Sequence, residues 1–302
     1  MITITYCHRQ APSLTIGGAV TGGSTAKQCI APASADIRLL TTENREDTEL
    51  MHPLTSYLGI LGGVGPLATA SLYRRIIELT AAQCDQDHFP VMILADPSTP
   101  DRSRALLDGD RERVREALLT RAQYLDKLGV GAIAMPCNTA HYWAAEIRSA
   151  IHCPLISIVE SAAALAVAVA GHGARVLVLG TEATMRLGLY HHPLRCHGLE
   201  PADPTEDEIA LMTRVIADVK AGELVRARQT MKAFLEARGA DDAAAILACT
   251  ELPIAAEGIQ AGGPAMIDPS EALAEVCVNW LQAAREKHRE PLPDSQAMAA
   301  CS

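Results

Sequence analysis

Tyr57-Leu58-Gly59-Ile60-Leu61-Gly62-Gly63-Val64-Gly65-Pro66 is a short apolar run that breaks into a glycine turn. It reads as a buried strand delivering the chain to a turn, with a helix-length segment, Leu67–Gln83, behind it. The same grammar returns at Arg175–Leu179, which runs into Gly180-Thr181. Short apolar runs alternating with helix-length segments indicate a parallel α/β architecture.

Outward from the first strand, Val91–Ala95, Ala132–Met135 and Leu155–Val159 read as further strands. The intervening helices are Arg111–Leu128 and Ala140–Ile151. The second half repeats the scheme with strands Arg175–Leu179, Leu199–Ala202, Ala244–Ala248 and Ala265–Ile267. Its helices are Glu206–Ala221, Leu224–Ala237 and Ser270–Lys287, and Gly239 is placed to stop the second of them. Each half also ends its third strand in a cysteine followed by small polar residues. These are Cys137-Asn138-Thr139 and Cys249-Thr250-Glu251, lying 75 residues after Gly62 and 69 after Gly180. The expected fold is therefore two similar parallel-sheet α/β domains related by pseudo-twofold symmetry, with an active site in the cleft between them. The expected boundaries are 57–160, completed by helix 270–287, and 161–269, with a tail at 288–302.

Residues 1–56 are expected to be a disordered extension. Gly17, Gly18, Gly22 and Gly23 lie among Thr and Ser, and Thr41–Glu49 has no apolar period. Met51 opens a segment that resembles a domain start, so it is a candidate initiator. The longest uncharged apolar run, Ser161–Gly173, is shorter than the ~20 residues of a membrane helix. No signal-peptide pattern opens the chain. A soluble, cytoplasmic protein with reduced thiols is the expectation.

The chain of 302 residues is 49% hydrophobic but only 3% aromatic, so its core must be built from Ala, Val, Ile and Leu. A formal charge of −10 disfavours nucleic acid or an anionic membrane as partner, and leaves a small-molecule substrate open. Nine cysteines without a CxxC pair fit neither a disulfide framework nor a zinc site. His191, His192 and His197 near Cys196 lack metal-ligand spacing, so no metal is expected. Gly62, Gly63 and Gly65 do not have the GxGxxG spacing of a dinucleotide loop. Close backbone approach to a small anion suits them better.

Strand C-termini in parallel α/β sheets are where ligands bind, close to helix N-termini that hold anions and lower thiol pKa values. Cys137 and Cys249 both stand at such ends. One as thiolate and one as thiol, they can remove a proton from one side of a carbon and return one on the other. That chemistry inverts a stereocentre without a cofactor. Cys7, Cys29 and Cys301 lie in tails; Cys84, Cys153, Cys196 and Cys277 read as structural or incidental. His141 is either a structural histidine or one that orients water or the neighbouring cysteine.

Seven pieces in order resemble the aspartate/glutamate racemases, most of all the cofactor-independent aspartate racemases. They are Gly59–Ala70, Pro100-Asp101-Arg102, Met135–His141, Pro204–Glu208, Val219–Gly222, Cys249-Thr250-Glu251 and Ile267-Asp268-Pro269. The resemblance implies racemisation of aspartate, with glutamate a further candidate, no cofactor, and a homodimer formed through helix Leu67–Gln83 or helix Glu206–Ala221. It makes Cys137 and Cys249 the acid/base thiols. Asn138, Thr139, Ala140 and Thr250 become substrate contacts, as do Val64 and Gly65 of the glycine loop. Arg102, in a loop after the second strand, and Lys220 would supply positive charge, Arg102 as a bidentate clamp and Lys220 as a point charge. Val64 replaces a common Met. Glu251 stands where glutamate racemases carry His, and the first loop lacks their Asp-Ser start; both differences favour aspartate. The alternatives are hydantoin racemisation, a maleate-type isomerisation or decarboxylation within the same superfamily, and a non-catalytic dicarboxylate-binding protein.

Overall fold

The computed structural model describes residues 54–238, 241–259 and 263–288. The expected extension up to Pro53, the candidate start at Met51, the stop at Gly239 and the tail after His288 lie outside these residues. Leu54–Ser56 forms a 3-10 turn whose Ser56 is buried. The first half runs β1 (Leu58–Gly62), α1 (Pro66–Leu79), β2 (Val91–Ala95), α2 (Arg102–Asp108), α3 (Arg111–Lys127) and β3 (Ala132–Met135). A 3-10 turn, Thr139–Trp143, leads into α4 (Ala144–Ala150), β4 (Leu155–Ser157) and α5 (Ile158–Ala170). The second half is β5 (Arg175–Gly180), α6 (Glu182–Arg186), α7 (His191–Cys196), β6 (Glu200–Ala202), α8 (Glu206–Lys220) and α9 (Leu224–Arg238). It continues with β7 (Ala244–Ala248), α10 (Leu252–Ala256), β8 (Ala265–Ile267) and α11 (Pro269–His288).

Two parallel four-stranded sheets result, ordered β2-β1-β3-β4 and β6-β5-β7-β8. The orders correspond strand for strand, and so do the registers: Leu58 pairs with Ala132 in the first sheet, and Val176 with Ala244 in the second. The duplication expected from the repeated glycine and cysteine is thus a duplication of topology.

Side-chain alternation along each strand sorts the core into three parts. Leu58 and Ile60 of β1, Val176 and Val178 of β5, and Ala244 and Ile246 of β7 face one shared cluster, which also holds α5 and α11 residues. The odd-numbered partners turn the other way. Ile133 and Met135 pack on α3 through Val114, Leu118 and Leu125, while Leu177 and Leu247 pack on α8 and α9 through Met212, Val215 and Met231. Alanines 162, 163 and 166 on α5 let it approach α11 closely, as a core poor in aromatics requires. Burying one Leu here is worth about 1.5–3 kcal/mol.

Two departures from the expected elements bear on the site. The fourth strand ends at Ser157 rather than Val159, because the Ser157 hydroxyl accepts from the Glu160 N–H at 3.2 Å and caps α5. Helix α5 is apolar nearly all round, its exposed face carrying Ala164, Ala168 and Val169, so it shows little amphipathic period in the sequence. Arg102 belongs to no loop: it is the first residue of α2, whose cap is Asp101, accepting from Arg104 N at 2.7 Å.

Candidate active site

Each sheet delivers its cysteine by the same backbone device. Beyond β3 the Cys137 N–H donates to the Met135 carbonyl two residues back at 2.9 Å. Beyond β7 the Cys249 N–H donates to the Leu247 carbonyl at 2.8 Å. These tight turns bring both thiols, one from each sheet, to a cleft of about 680 Å³. Both residues are buried, at 9% and 7% exposure, yet line that cleft.

The first glycine loop forms one wall. Gly63 has φ +79°, and a Cβ there would fall 2.3 Å from the Asp96 backbone, so only glycine fits. The Thr69 hydroxyl accepts from Gly63 N and donates to the Gly65 carbonyl, both at 3.0 Å, bracing Val64 and Gly65 against the cleft. The loop after β2 is braced by Arg121, which bonds Asp96 Oδ2, Ser98 Oγ and Thr99 Oγ1. Bonds from the Ser98 N–H and hydroxyl, then from Arg121, hold the Asp96 carboxyl down at about 2. This loop leads into α2, whose first residue, Arg102, lines the cleft. The Arg102 guanidinium donates to the Pro100 carbonyl at 3.3 Å, while its buried Nε has no partner among the described residues. It makes no ion pair among them, unlike Arg74 and Arg75 at the same cleft, which pair with Glu78. An unmatched buried donor of this kind costs free energy that an acceptor would relieve.

Around Cys137, Asn138 is held from the second half of the chain: the Tyr190 hydroxyl donates to its Oδ1 at 2.5 Å. Tyr190 is fully buried, and burial, with Asp268 adding to it, raises its pKa well above the ordinary range, so it remains a donor. With Oδ1 accepting from Tyr190, the amide is oriented and its N–H groups have no acceptor among the described residues. Thr139 Oγ1 lies 3.0 Å from both Thr181 Oγ1 and Thr184 Oγ1, which are 2.9 Å apart, a triangle of hydroxyls joining the two halves. His141 sits behind the turn with Nδ1 2.7 Å from the Cys137 carbonyl. Burial depresses its pKa to about 4, so the ring is neutral at pH 7 and Nδ1–H is the donor. It fixes the backbone of Cys137 rather than touching the thiol.

Around Cys249 the setting is charged. The Cys249 thiol donates to Glu251 Oε2 at 2.9 Å, the Thr250 hydroxyl reaches the same oxygen at 3.2 Å, and Lys220 Nζ stands 3.8 Å from Oε1. Burial first, then the Glu251 charge and hydrogen bond, push the Cys249 thiol well above the usual thiol range. The lowering expected from a helix N-terminus is overturned here, because desolvation and a carboxylate outweigh it.

Nine of the ten residues expected from the sequence line this one cleft: Val64, Gly65, Arg102, Cys137, Asn138, Thr139, Lys220, Cys249 and Thr250. Ala140 does not; it is fully buried in the core of the first half, behind the turn. The sequence reading left Tyr190, Thr181 and Thr184 unassigned, and saw Glu251 only as a departure from a relative. Thr181 had a signal, following Gly180 in the repeated glycine turn, whereas Tyr190 had none. The remaining described cysteines lie outside the cleft. Cys277 is raised to about 12 by burial, Cys153 to about 12 by burial and Asp126, and Cys84 and Cys196 are exposed. Among the described residues no group of three or more His, Cys, Asp or Glu is placed to hold a metal ion.

Comparison with known proteins agrees with this fold. The family model described as Asp/Glu/Hydantoin racemase matches residues 61–277. The broad specificity amino-acid racemase RacX of Bacillus subtilis is 31% identical over 228 residues, covering 74% of this chain and 96% of that protein. The structure of the Picrophilus torridus aspartate racemase superposes with a TM-score of 0.65 at 30% identity, over 76% of this chain and 94% of that one. The Francisella tularensis glutamate racemase, solved in complex with D-glutamate, shares the fold at TM-score 0.56 and 18% identity, over 80% of this chain and 86% of that one.

Proposed function

Because the chain belongs to the Asp/Glu/hydantoin racemase family and is an amino-acid racemase of that family, we propose that it interconverts L- and D-aspartate by a two-cysteine proton transfer. The observation that carries this reading is the pair of strand-end thiols, set by matching turns on two copies of one sheet and lining a single cleft. One thiolate takes the Cα proton. The electron pair stays on the substrate as an enolate-like anion, and the other thiol returns a proton to the opposite face. Asn138, Thr139 and Thr250 supply polar groups around the α-carboxylate, where charge develops as the proton leaves. The unmatched Arg102 guanidinium takes the side-chain carboxylate, with Lys220 as a second charge.

Arg102 also argues against a hydantoin, whose neutral ring brings no carboxylate to it. The broader reading, several amino acids in one site, is favoured by the cleft of about 680 Å³, which is generous for aspartate, and by the broad specificity of the Bacillus relative. Chiral chromatography of initial rates, without added cofactor, tests the choice. Aspartate should give the highest kcat/KM among aspartate, glutamate, alanine and leucine, whereas an equal or higher value for a neutral amino acid would remove the aspartate assignment.

A homodimer is supported on α1, which exposes Leu67 (64%), Tyr73 and Ile77 to solvent. Helix α8 is less suited, since its Ile209, Met212, Val215 and Ile216 are already buried at home. No described helix is long and apolar enough to cross a membrane, and a cytoplasmic setting would keep both thiols reduced.

A further inference from the structure

The two strand-end turns match in backbone but differ in what stands two residues after the cysteine. After Cys137 that position is Thr139, whose neutral hydroxyl bonds with those of Thr181 and Thr184; Cys137 Sγ has no hydrogen-bond partner among the described residues. After Cys249 it is Glu251, whose Oε2 accepts the Cys249 S–H at 2.9 Å and the Thr250 O–H at 3.2 Å. Resting on the two-cysteine reading above, we propose that Glu251 is a positioning residue that makes the thiols unequal, holding Cys249 as the protonated member and leaving Cys137 as the resting base.

Charge at short range sets which thiol keeps the proton. A thiolate at Cys249 would face a carboxylate at hydrogen-bond distance in a desolvated position, whereas the thiol is matched to it. Lys220 opposes this from across the carboxylate, but it stands 3.8 Å from the other oxygen and its side chain is half exposed. The remaining charges bordering the cleft are engaged elsewhere or lie on other walls. From α1, Arg75 pairs with Glu271 of α11, and Arg74 with Glu78; after α10, Glu257 pairs with Arg228. Asp268 accepts from Ser270 N, and Arg102 and Asp101 belong to the α2 wall. Glu251 and Lys220 are the charged groups that act on the Cys249 thiol.

In one turnover from this resting state, the Cα–H bond breaks and its proton forms an S–H bond on Cys137. The Cys249 S–H bond breaks with its electron pair left on sulfur, and that proton bonds to the opposite face of Cα. The product enzyme holds a Cys249 thiolate against Glu251. It returns to rest by gaining a proton from solvent at Cys249 while Cys137 gives one up. The site therefore stores a bias that its near-symmetric backbone lacks.

The test is the pH dependence of Cys249 alkylation by iodoacetamide, read by peptide mass spectrometry in the wild type, Glu251→Gln and Glu251→Asp. Exposed Cys84 and Cys196 serve as internal references. Removing the charge should lower the midpoint for Cys249 by about one pH unit, so that alkylation at pH 8 runs roughly tenfold faster in Glu251→Gln. The alkaline limb of kcat/KM should move to lower pH with it. Glu251→Asp keeps the charge and should follow the wild type. An unchanged Cys249 midpoint in Glu251→Gln, or an equal shift in Glu251→Asp, would overturn the proposal. Absence of racemisation in the wild type would overturn the racemase reading instead, and the alkylation midpoints register separately from it.

Discussion

The two halves of this protein share strand order, register, glycine turn and the hydrogen bond that sets each cysteine. They differ in the side chains behind those cysteines. Cys137 stands in a neutral setting of Asn138, Thr139 and a neutral His141, steadied by Tyr190 from the other half. Cys249 stands beside a carboxylate and a lysine. Backbone geometry places the thiols, and it has stayed common to both copies. Protonation depends on local charge, which a single side chain can change without disturbing the turn. A duplicated fold can therefore keep two equivalent positions while giving them unequal proton affinity.

The strongest way to break the comparison is to remove either thiol. Cys137→Ala and Cys249→Ala should each lower kcat/KM by about 10³-fold, since the acid/base task proposed for each thiol is of a kind worth about 10²–10⁴-fold. Steady-state racemisation assays check this, and a variant with near-wild-type activity would show that only one cysteine matters. Next in size is Arg102→Ala. Losing charge-assisted hydrogen bonds of about 1.5–3 kcal/mol should raise KM for aspartate roughly 10- to 100-fold. KM for a neutral amino acid should hardly move; an equal rise for both would place Arg102 away from the side-chain carboxylate.

Tyr190→Phe sharpens the contrast from the Cys137 side. It leaves Asn138 Oδ1 buried without its donor, which should cost about 1–3 kcal/mol of stability in urea unfolding. It also frees the amide to rotate, so kcat/KM should fall as well. Loss of stability with kinetics intact would make Tyr190 a packing residue only. The smallest effect concerns helix caps. Helix α8 opens with a capping box, Thr205 accepting from Glu208 N and Glu208 from Thr205 N, whereas Asp110 before α3 makes no side-chain cap bond. Thr205→Ala should cost about 1 kcal/mol and Asp110→Ala clearly less, measured by thermal unfolding.

Much of this organisation is written in local sequence. Strands such as Val91–Ala95 and Ala244–Ala248 are continuous apolar runs between turns, and the two cysteines declare themselves by their position at strand ends. Helix α5 was not legible as a helix, because its solvent-facing positions, among them Ala164, Ala168 and Val169, are as apolar as its buried ones, which erases the period by which helices are recognised. Arg102 was legible as a candidate but misplaced, since α2 is only seven residues long and its cap, Asp101, also reads as a loop residue. Tyr190 was invisible because its partner, Asn138, lies 52 residues away in the other half, and only the folded chain brings them together. The carboxylate at Glu251 was visible as a residue type. Its bond to the thiol was not, because that depends on a rotamer chosen by the turn, Thr250 and Lys220.

Hydrogen-isotope incorporation during the first turnovers in heavy water tests the central claim most directly. With two thiols acting from opposite sides, inversion of L-aspartate should give D-aspartate carrying deuterium at Cα while recovered L-aspartate stays protiated, and the reverse reaction should mirror this. Deuterium entering the recovered substrate as fast as the product would contradict the account, because it would mean that a single base serves both faces.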